Sequence, residues 1–211
     1  MAKNVATQEF WDNFSANYSK TELMTFQSGM TSFLMTGCQK PGARVLEVGC
    51  ASGIGSEIVA QSILSKLESP VFVVSDFSQQ MMQLTARRFD ESDYKLIEGN
   101  KVVIDTETDF VSNGERIDLD AMVTAQGQFR KLVYGCRASG SALPFPDAWF
   151  DCYVSNLVIQ LIDSAENQIR EAYRVLKPGT AACFTVWGRR ENSLMFTCTE
   201  EAKRRMQAAG G

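Results

Sequence analysis

The 211-residue sequence predicts a single α/β domain built on a doubly wound parallel sheet. Three observations carry that expectation. Short apolar, β-branched runs alternate with helix-forming segments, a glycine-rich turn joins the first run to a helix, and an acidic residue ends the second run.

From Thr7 to Cys38, Phe10, Trp11, Phe14, Tyr18, Leu23, Met24, Phe26, Met30, Phe33 and Leu34 recur at mostly helical spacing, so residues 1–40 are expected to form one or two helices. Lys40-Pro41-Gly42 punctuates the chain, and Ala43 to Val48 reads as a buried strand. Gly55 to Leu67 has helix-forming composition, Val71 to Ser75 is a β-branched strand, and Gln79 to Phe89 is helical again. The alternation resumes with strands at Lys131 to Gly135 and Trp149 to Ser155, an amphipathic helix at Ala165 to Leu176 and a strand at Thr180 to Trp187. Pro178-Gly179 serves as the helix stop, and Ser193 to Gln207 forms a last helix. The polar stretch from Glu91 to Phe129 is too long for an ordinary connection. Residues 91–130, polar with short apolar patches such as Val102-Val103-Ile104, are therefore taken as an insertion with room for a hairpin of its own.

Composition excludes several functions. The chain is 45% hydrophobic and 22% charged with a formal net charge of -4, which leaves no overall basic footprint for a nucleic-acid partner. It contains no histidine, so His-dependent hydrolytic triads and His-based zinc sites are excluded, and no metal is expected. Six cysteines are scattered without a Cys-x-x-Cys pair and read as reduced, mostly buried thiols. Met1 to Ala6 lack an apolar signal core and no run approaches the ~20 apolar residues of a bilayer span, so a cytoplasmic location without a membrane partner is expected.

The segment Val45-Leu46-Glu47-Val48-Gly49-Cys50-Ala51-Ser52-Gly53-Ile54-Gly55 carries the chemistry. A strand running into a glycine-rich turn and a helix sets backbone N–H groups and the positive helix end beside whatever lies above the sheet, which suits a nucleotide-like ligand. Gly49 and Gly53 allow backbone conformations and a close approach that side chains forbid. A phosphate-binding loop of NTPases is not supported, because Gly53-Ile54-Gly55-Ser56 has no lysine; a dinucleotide fingerprint fits poorly, because the run from Gly53 reaches Ile58 where a glycine is needed. Asp76 ends the second strand 23 positions after Gly53, where an acid can accept from ribose hydroxyls. It can equally serve the N-terminus of the following helix, with Ser78 as N-cap.

Four segments in this order resemble the class I S-adenosylmethionine-dependent methyltransferases, in particular those acting on small molecules. They are Val45 to Gly55, Val74-Ser75-Asp76-Phe77-Ser78-Gln79-Gln80-Met81, Ala142-Leu143-Pro144-Phe145-Pro146-Asp147-Ala148-Trp149-Phe150-Asp151, and Arg174-Val175-Leu176-Lys177-Pro178-Gly179. The resemblance implies a Rossmann-like sheet of order 3-2-1-4-5 with flanking helices, a core at 41–90 and 131–190, and S-adenosylmethionine as cofactor, with S-adenosylhomocysteine as product. It places Glu47 near the methionine amino group, Gly49, Cys50 and Gly53 along the methionine and ribose path, and Asp76 on the ribose hydroxyls. Phe77 and Met81 would flank the adenine, and Asn156 and Leu157 would border the methyl group. Phe10 to Tyr18 is similar to the family's lid helix, in which Tyr18 closes over the cofactor; the same aromatic stripe also reads as packing on the domain.

The sequence departs from that pattern at three places. Ala51 replaces the middle glycine of the first motif. Ser139, beside Gly140, stands where the family has an acid accepting from the adenine amino group, and a hydroxyl is the weaker acceptor. The chain ends at Gly211, so the family's usual last two strands are expected to be lacking, and an uncovered edge at Thr180 to Trp187 predicts a homodimer through it. The resulting expectation is a methyltransferase acting on a small-molecule acceptor; the alternative is an impaired or truncated relative serving as a binding or partner subunit.

Overall fold

The computed structural model describes residues 7–18, 20, 22–111, 114–125 and 131–209. Six parallel strands form one sheet: β1 (Arg44–Val48), β2 (Val71–Asp76), β3 (Asn100–Asp105), β4 (Lys131–Arg137), β5 (Phe150–Asn156) and β6 (Leu176–Thr185). Their order is β3-β4-β2-β1-β5-β6. The five strands anticipated from sequence take the anticipated order, β4-β2-β1-β5-β6, and β3 lies outside them at the edge.

Strand side chains point alternately to the two faces, and both faces are apolar because helices cover both. Val45, Phe72, Val74, Val133 and Val154 fill one face under α2 (Leu23–Met35), α3 (Ile54–Ser62) and α4 (Gln79–Glu91). Leu46, Val73, Tyr134 and Tyr153 fill the other, under α5 (Leu119–Ala125) and α6 (Ala165–Val175). Two helix starts are set by serine N-caps: Ser78 Oγ accepts from the Met81 N–H, and Ser164 Oγ accepts from that of Asn167. Two further helices complete the fold, α1 (Gln8–Tyr18) and α7 (Leu194–Ala209).

Three sequence expectations need correction. Residues 91–125 contribute no hairpin among the described residues: β3 pairs in parallel with β4, and α5 packs on a sheet face with Leu119 buried. Gly135 makes the β3 pairing close, since a Cβ there would lie 2.7 Å from Ile104 Cδ1. Residues 112, 113 and 126–130 of that segment, like Met1 to Ala6, lie outside the described residues. The last core helix stops at Val175, ahead of Pro178-Gly179, because Leu176 is already extended. The register slips between Phe150 and Cys152, so Pro178-Gly179 sits in an irregularity of β6, with Gly179 at φ +80°. β6 is the terminal strand on its side of the sheet, with Ala181 and Ala182 exposed.

Four of the six cysteines (Cys38, Cys50, Cys136, Cys152) are buried, Cys198 is exposed, and all six are free. Among the described residues no helix is long and apolar enough to cross a membrane.

Candidate functional site

A cavity of about 540 Å³ opens over the C-terminal edge of the sheet, within the size range of small-molecule sites. Parallel α/β sheets place ligands there because the strand-to-helix turns converge on that edge. α1 closes one side: Trp11, Phe14 and Tyr18 line the cavity, and Phe14 meets Tyr18 edge-on with ring centroids 6.3 Å apart. The side chains of Asp12 and Gln8 fasten this helix to the body. Asp12 accepts from Ser78 Oγ and from the Gln80 N–H, so it caps the start of α4, while Arg137 donates to Gln8 Oε1 at 2.9 Å.

The turn after β1 is stitched together before any ligand arrives. The N–H groups of Gly49 and Cys50 both donate to the Ser75 carbonyl, at 2.7 and 3.0 Å. The Ala51 N–H donates to Asp76 Oδ2 at 2.9 Å, and its carbonyl accepts from Thr85 Oγ1 at 2.9 Å. Ser52 is fixed by Glu22, which accepts from its hydroxyl and pairs with Arg88 at 2.9 Å; Arg88 Nε donates to the Ser52 carbonyl. These bonds hold the glycine turn in shape without a ligand. They also spend the first three N–H groups of the turn, which are therefore not free for a ligand.

Ten of the thirteen residues singled out from sequence line the cavity: Tyr18, Gly49, Ala51, Asp76, Phe77, Met81, Ser139, Gly140, Asn156 and Leu157. Three do not. Glu47 is buried behind the wall, where Ser56 Oγ donates to it at 2.6 Å. Cys50 turns its thiol into the core, 3.8 Å from Met82 Sδ, and burial raises its pKa well above the usual thiol value. Gly53 begins α3 at φ +76°, where a Cβ would lie 2.9 Å from Thr85 Oγ1, so its role is backbone shape and packing.

Two carboxylates dominate the electrostatics. Burial lifts the pKa of Glu47 to about 7, opposed by the Ser56 bond and reinforced by the charge of Asp76. Burial likewise lifts Asp76 to about 6, against the N–H bonds it accepts from Ser78 and Ala51. Neither pairs with a lysine or arginine among the described residues. The acidic end of the cavity is thus Asp76, with Glu47 buried behind it. Tyr18 is held 3.3 Å from Thr25 Oγ1, and burial raises its pKa, so it stays protonated at neutral pH.

Backbone conformation at two wall residues is unusual. Ala51 has φ +51° and Leu157 φ +60°, the left-handed region that bulky residues seldom occupy. Leu157 is held there by its N–H, which reaches both the carbonyl and the hydroxyl of Thr185, at 3.1 and 2.9 Å. Asn156 is bound on three sides: its amide donates to the Thr25 carbonyl, and its Oδ1 accepts from Ser28 and Thr185. Its geometry makes it a tie between α2, β5 and β6. The conformation of Leu157 sets Val158 against Gly49, where a Cβ on the glycine would lie 2.2 Å from Val158 Cγ2.

The sequence reading did not anticipate the segment after Leu157. Val158, Leu161, Ile162, Asp163 and Ser164, with Met24 and Trp187, complete the wall. Its only signal was an apolar Leu-Val-Ile-Gln-Leu-Ile run that has no motif and reads as strand or core. None of the described residues of the 91–130 segment lines the cavity.

Comparison with known proteins gives consistent results. The profile of a family described as a methyltransferase domain matches residues 46–184. A mitochondrial 2-methoxy-6-polyprenyl-1,4-benzoquinol methylase of Leishmania donovani is 28% identical over 150 residues, covering 68% of this chain and 41% of that protein. A malonyl-[acyl-carrier protein] O-methyltransferase of Enterobacter lignolyticus is 34% identical over 70 residues, 33% of this chain and 28% of that protein. The chain thus matches less than half the length of either relative. Among solved structures, a Methanococcus maripaludis protein described as an S-adenosyl-L-methionine-dependent methyltransferase superposes with a TM-score of 0.56 at 14% identity, covering 99% of this chain and 78% of that one. At that identity the likeness is one of fold.

Proposed function

This chain belongs to the S-adenosylmethionine-dependent methyltransferase family, and on that premise we propose that it transfers a methyl group from S-adenosylmethionine to a small-molecule acceptor. The observation that carries the proposal is the pairing of Asp76, at the cavity wall, with the buried Glu47 on the neighbouring strand; neither has a basic partner among the described residues. A ligand bearing a sulfonium and an ammonium supplies the missing positive charge. The remaining wall fits the rest of such a ligand, since Phe77 and Met81 offer apolar contact and Ser139 a hydroxyl acceptor beside Asp76.

Bound S-adenosylmethionine supplies an electrophilic methyl group. The chain's own residues orient and enclose. Asp76 is fixed by the N–H groups of Ala51 and Ser78, which leaves each carboxylate oxygen a further lone pair for a hydroxyl. α1 excludes water through Trp11, Phe14 and Tyr18. Asn156 holds the end of β5 in place, and the rigid conformation of Leu157 defines the wall where an acceptor meets the cofactor. Proton transfer has few candidates, with no histidine in the chain and Tyr18 held protonated, so rate enhancement rests on positioning. The relatives' names join two different acceptors, a benzoquinol and a malonyl-[acyl-carrier protein], so no particular acceptor carries over.

Titration calorimetry with S-adenosylhomocysteine, S-adenosylmethionine and NAD tests the proposal. Saturable one-to-one binding of the first two, and none of NAD, is the expected result. Heat with NAD alone, or with no ligand, overturns it.

A further inference from the structure

The cavity runs across the sheet edge from the β4 and β2 side to the β5 and β6 side, and the two ends differ in chemistry. Asp76 and Ser139 occupy the first end. Apolar side chains, Leu157, Val158, Leu161, Ile162 and Trp187 among them, dominate the second, with Thr25 and Asn167 as neutral polar members. Among the described residues no lysine or arginine lines any part of the cavity, and the chain has no histidine. The one charged side chain at the second end is Asp163, exposed at the rim and in no ion pair among the described residues. The N-terminus of α6 lies nearby and favours an anion. Its positive end is already answered, by the Ser164 hydroxyl accepting from the Asn167 N–H at 3.2 Å and by the carboxylate of Asp163 just ahead of it.

We infer that the acceptor is an apolar molecule without phosphate or carboxylate, neutral or cationic in charge; this rests on the reading that the first end holds S-adenosylmethionine. An anionic acceptor entering the second end would shed its water against Leu, Ile, Val and Trp surface with no lysine or arginine among the described residues to meet it, and would pass Asp163 on the way. A neutral apolar body loses only ordered water there and gains contact area. An amine is further favoured by the rim carboxylate. The volume is shared with the cofactor, so the acceptor portion inside the cavity is small.

The test is a matched set of probes on one skeleton: 1-naphthylmethanol, 1-naphthylmethylamine, 1-naphthylacetate and 1-naphthyl phosphate. Each is titrated into the protein saturated with S-adenosylhomocysteine, followed by calorimetry and tryptophan fluorescence. The alcohol and the amine are expected to bind at least tenfold more tightly than either anion. Asp163→Lys, on the exposed rim, is expected to narrow the gap between amine and anions at least threefold, with an unchanged circular-dichroism spectrum. Anions binding as tightly as the neutral probe, or no probe binding at millimolar concentration while S-adenosylhomocysteine does, overturns the inference. Failure of S-adenosylhomocysteine itself to bind is a different result, and it overturns the cofactor reading first.

Discussion

Replacing Glu47 with glutamine is expected to stabilise the unliganded protein at alkaline pH while weakening its hold on the cofactor. The carboxyl is 6% exposed, accepts one hydrogen bond, from Ser56 Oγ, and has no basic partner among the described residues. Burial raises its pKa from 4.5 to about 7, and Asp76 adds to the rise. A shift of that size corresponds to about 3 kcal/mol between the two protonation states. A folded-state pKa above the unfolded one means that the native state keeps its proton longer. The carboxyl's contribution to stability is therefore fully present below pH 4.5 and is lost as the pH climbs to about 7, where ionisation must occur inside the protein. Glutamine keeps the shape and an acceptor for Ser56 but cannot ionise. In urea unfolding at pH 8 the variant should be more stable by up to about 3 kcal/mol, a midpoint shift on the order of 1–2 M. The gap should close towards pH 5, while the affinity for S-adenosylhomocysteine at pH 8 falls about tenfold, as befits the loss of one charge interaction of about 1.4 kcal/mol. A variant no more stable than wild type at pH 8, or a gap equal at pH 5 and pH 8, would refute the claim that an uncompensated buried carboxylate sits behind the site.

Three further substitutions address the turn and the lid. Gly49→Ala places a Cβ 2.2 Å from Val158 Cγ2 at φ +81° and should cost more than about 2 kcal/mol in urea unfolding; adding Val158→Ala should recover part of that loss, visible as coupling in a double-mutant cycle. Arg88→Met leaves the Glu22 carboxylate buried with Ser52 as its remaining hydrogen-bond donor and should cost about 3 kcal/mol, whereas replacing both Glu22 and Arg88 with apolar residues should cost less than the single change. Asp12→Ala removes the lid's cap on α4; about 1 kcal/mol of stability should go with it, and stopped-flow dissociation of S-adenosylhomocysteine should accelerate.

Much of the fold was legible because its signals are local. The β-branched runs of β1, β2, β4 and β5, the serine caps and the glycine turn each declare an element without reference to distant residues. β3 was missed as a parallel edge strand because its apolar patch is short and its partner β4 lies some thirty residues on, beyond the reach of any periodicity. The site divides in the same way. Asp76, Phe77 and Leu157 sit at strand ends that a parallel sheet necessarily gathers on one edge, and Met81 lies in the first turn of the helix after β2, so naming the strands located them. Direction within the wall was not legible: whether Glu47 or Cys50 faces the cavity depends on packing against Ser56, Met82 and Thr85, which come from α3 and α4. The Leu157 to Ser164 segment was opaque for a related reason. Its apolar residues look like core, and only the left-handed backbone at Leu157 turns them towards the ligand space.

On the proposed function a cationic nucleoside ligand lies across β1 and β2, its ribose at Asp76 and its charged sulfur towards Leu157. A crystal structure of the protein with S-adenosylhomocysteine tests it most directly. The account predicts the ribose hydroxyls within hydrogen-bond distance of Asp76 and the sulfur beside Leu157, with α1 closed over the ligand. A ligand bound elsewhere on the surface, or none at saturating concentration, would contradict it.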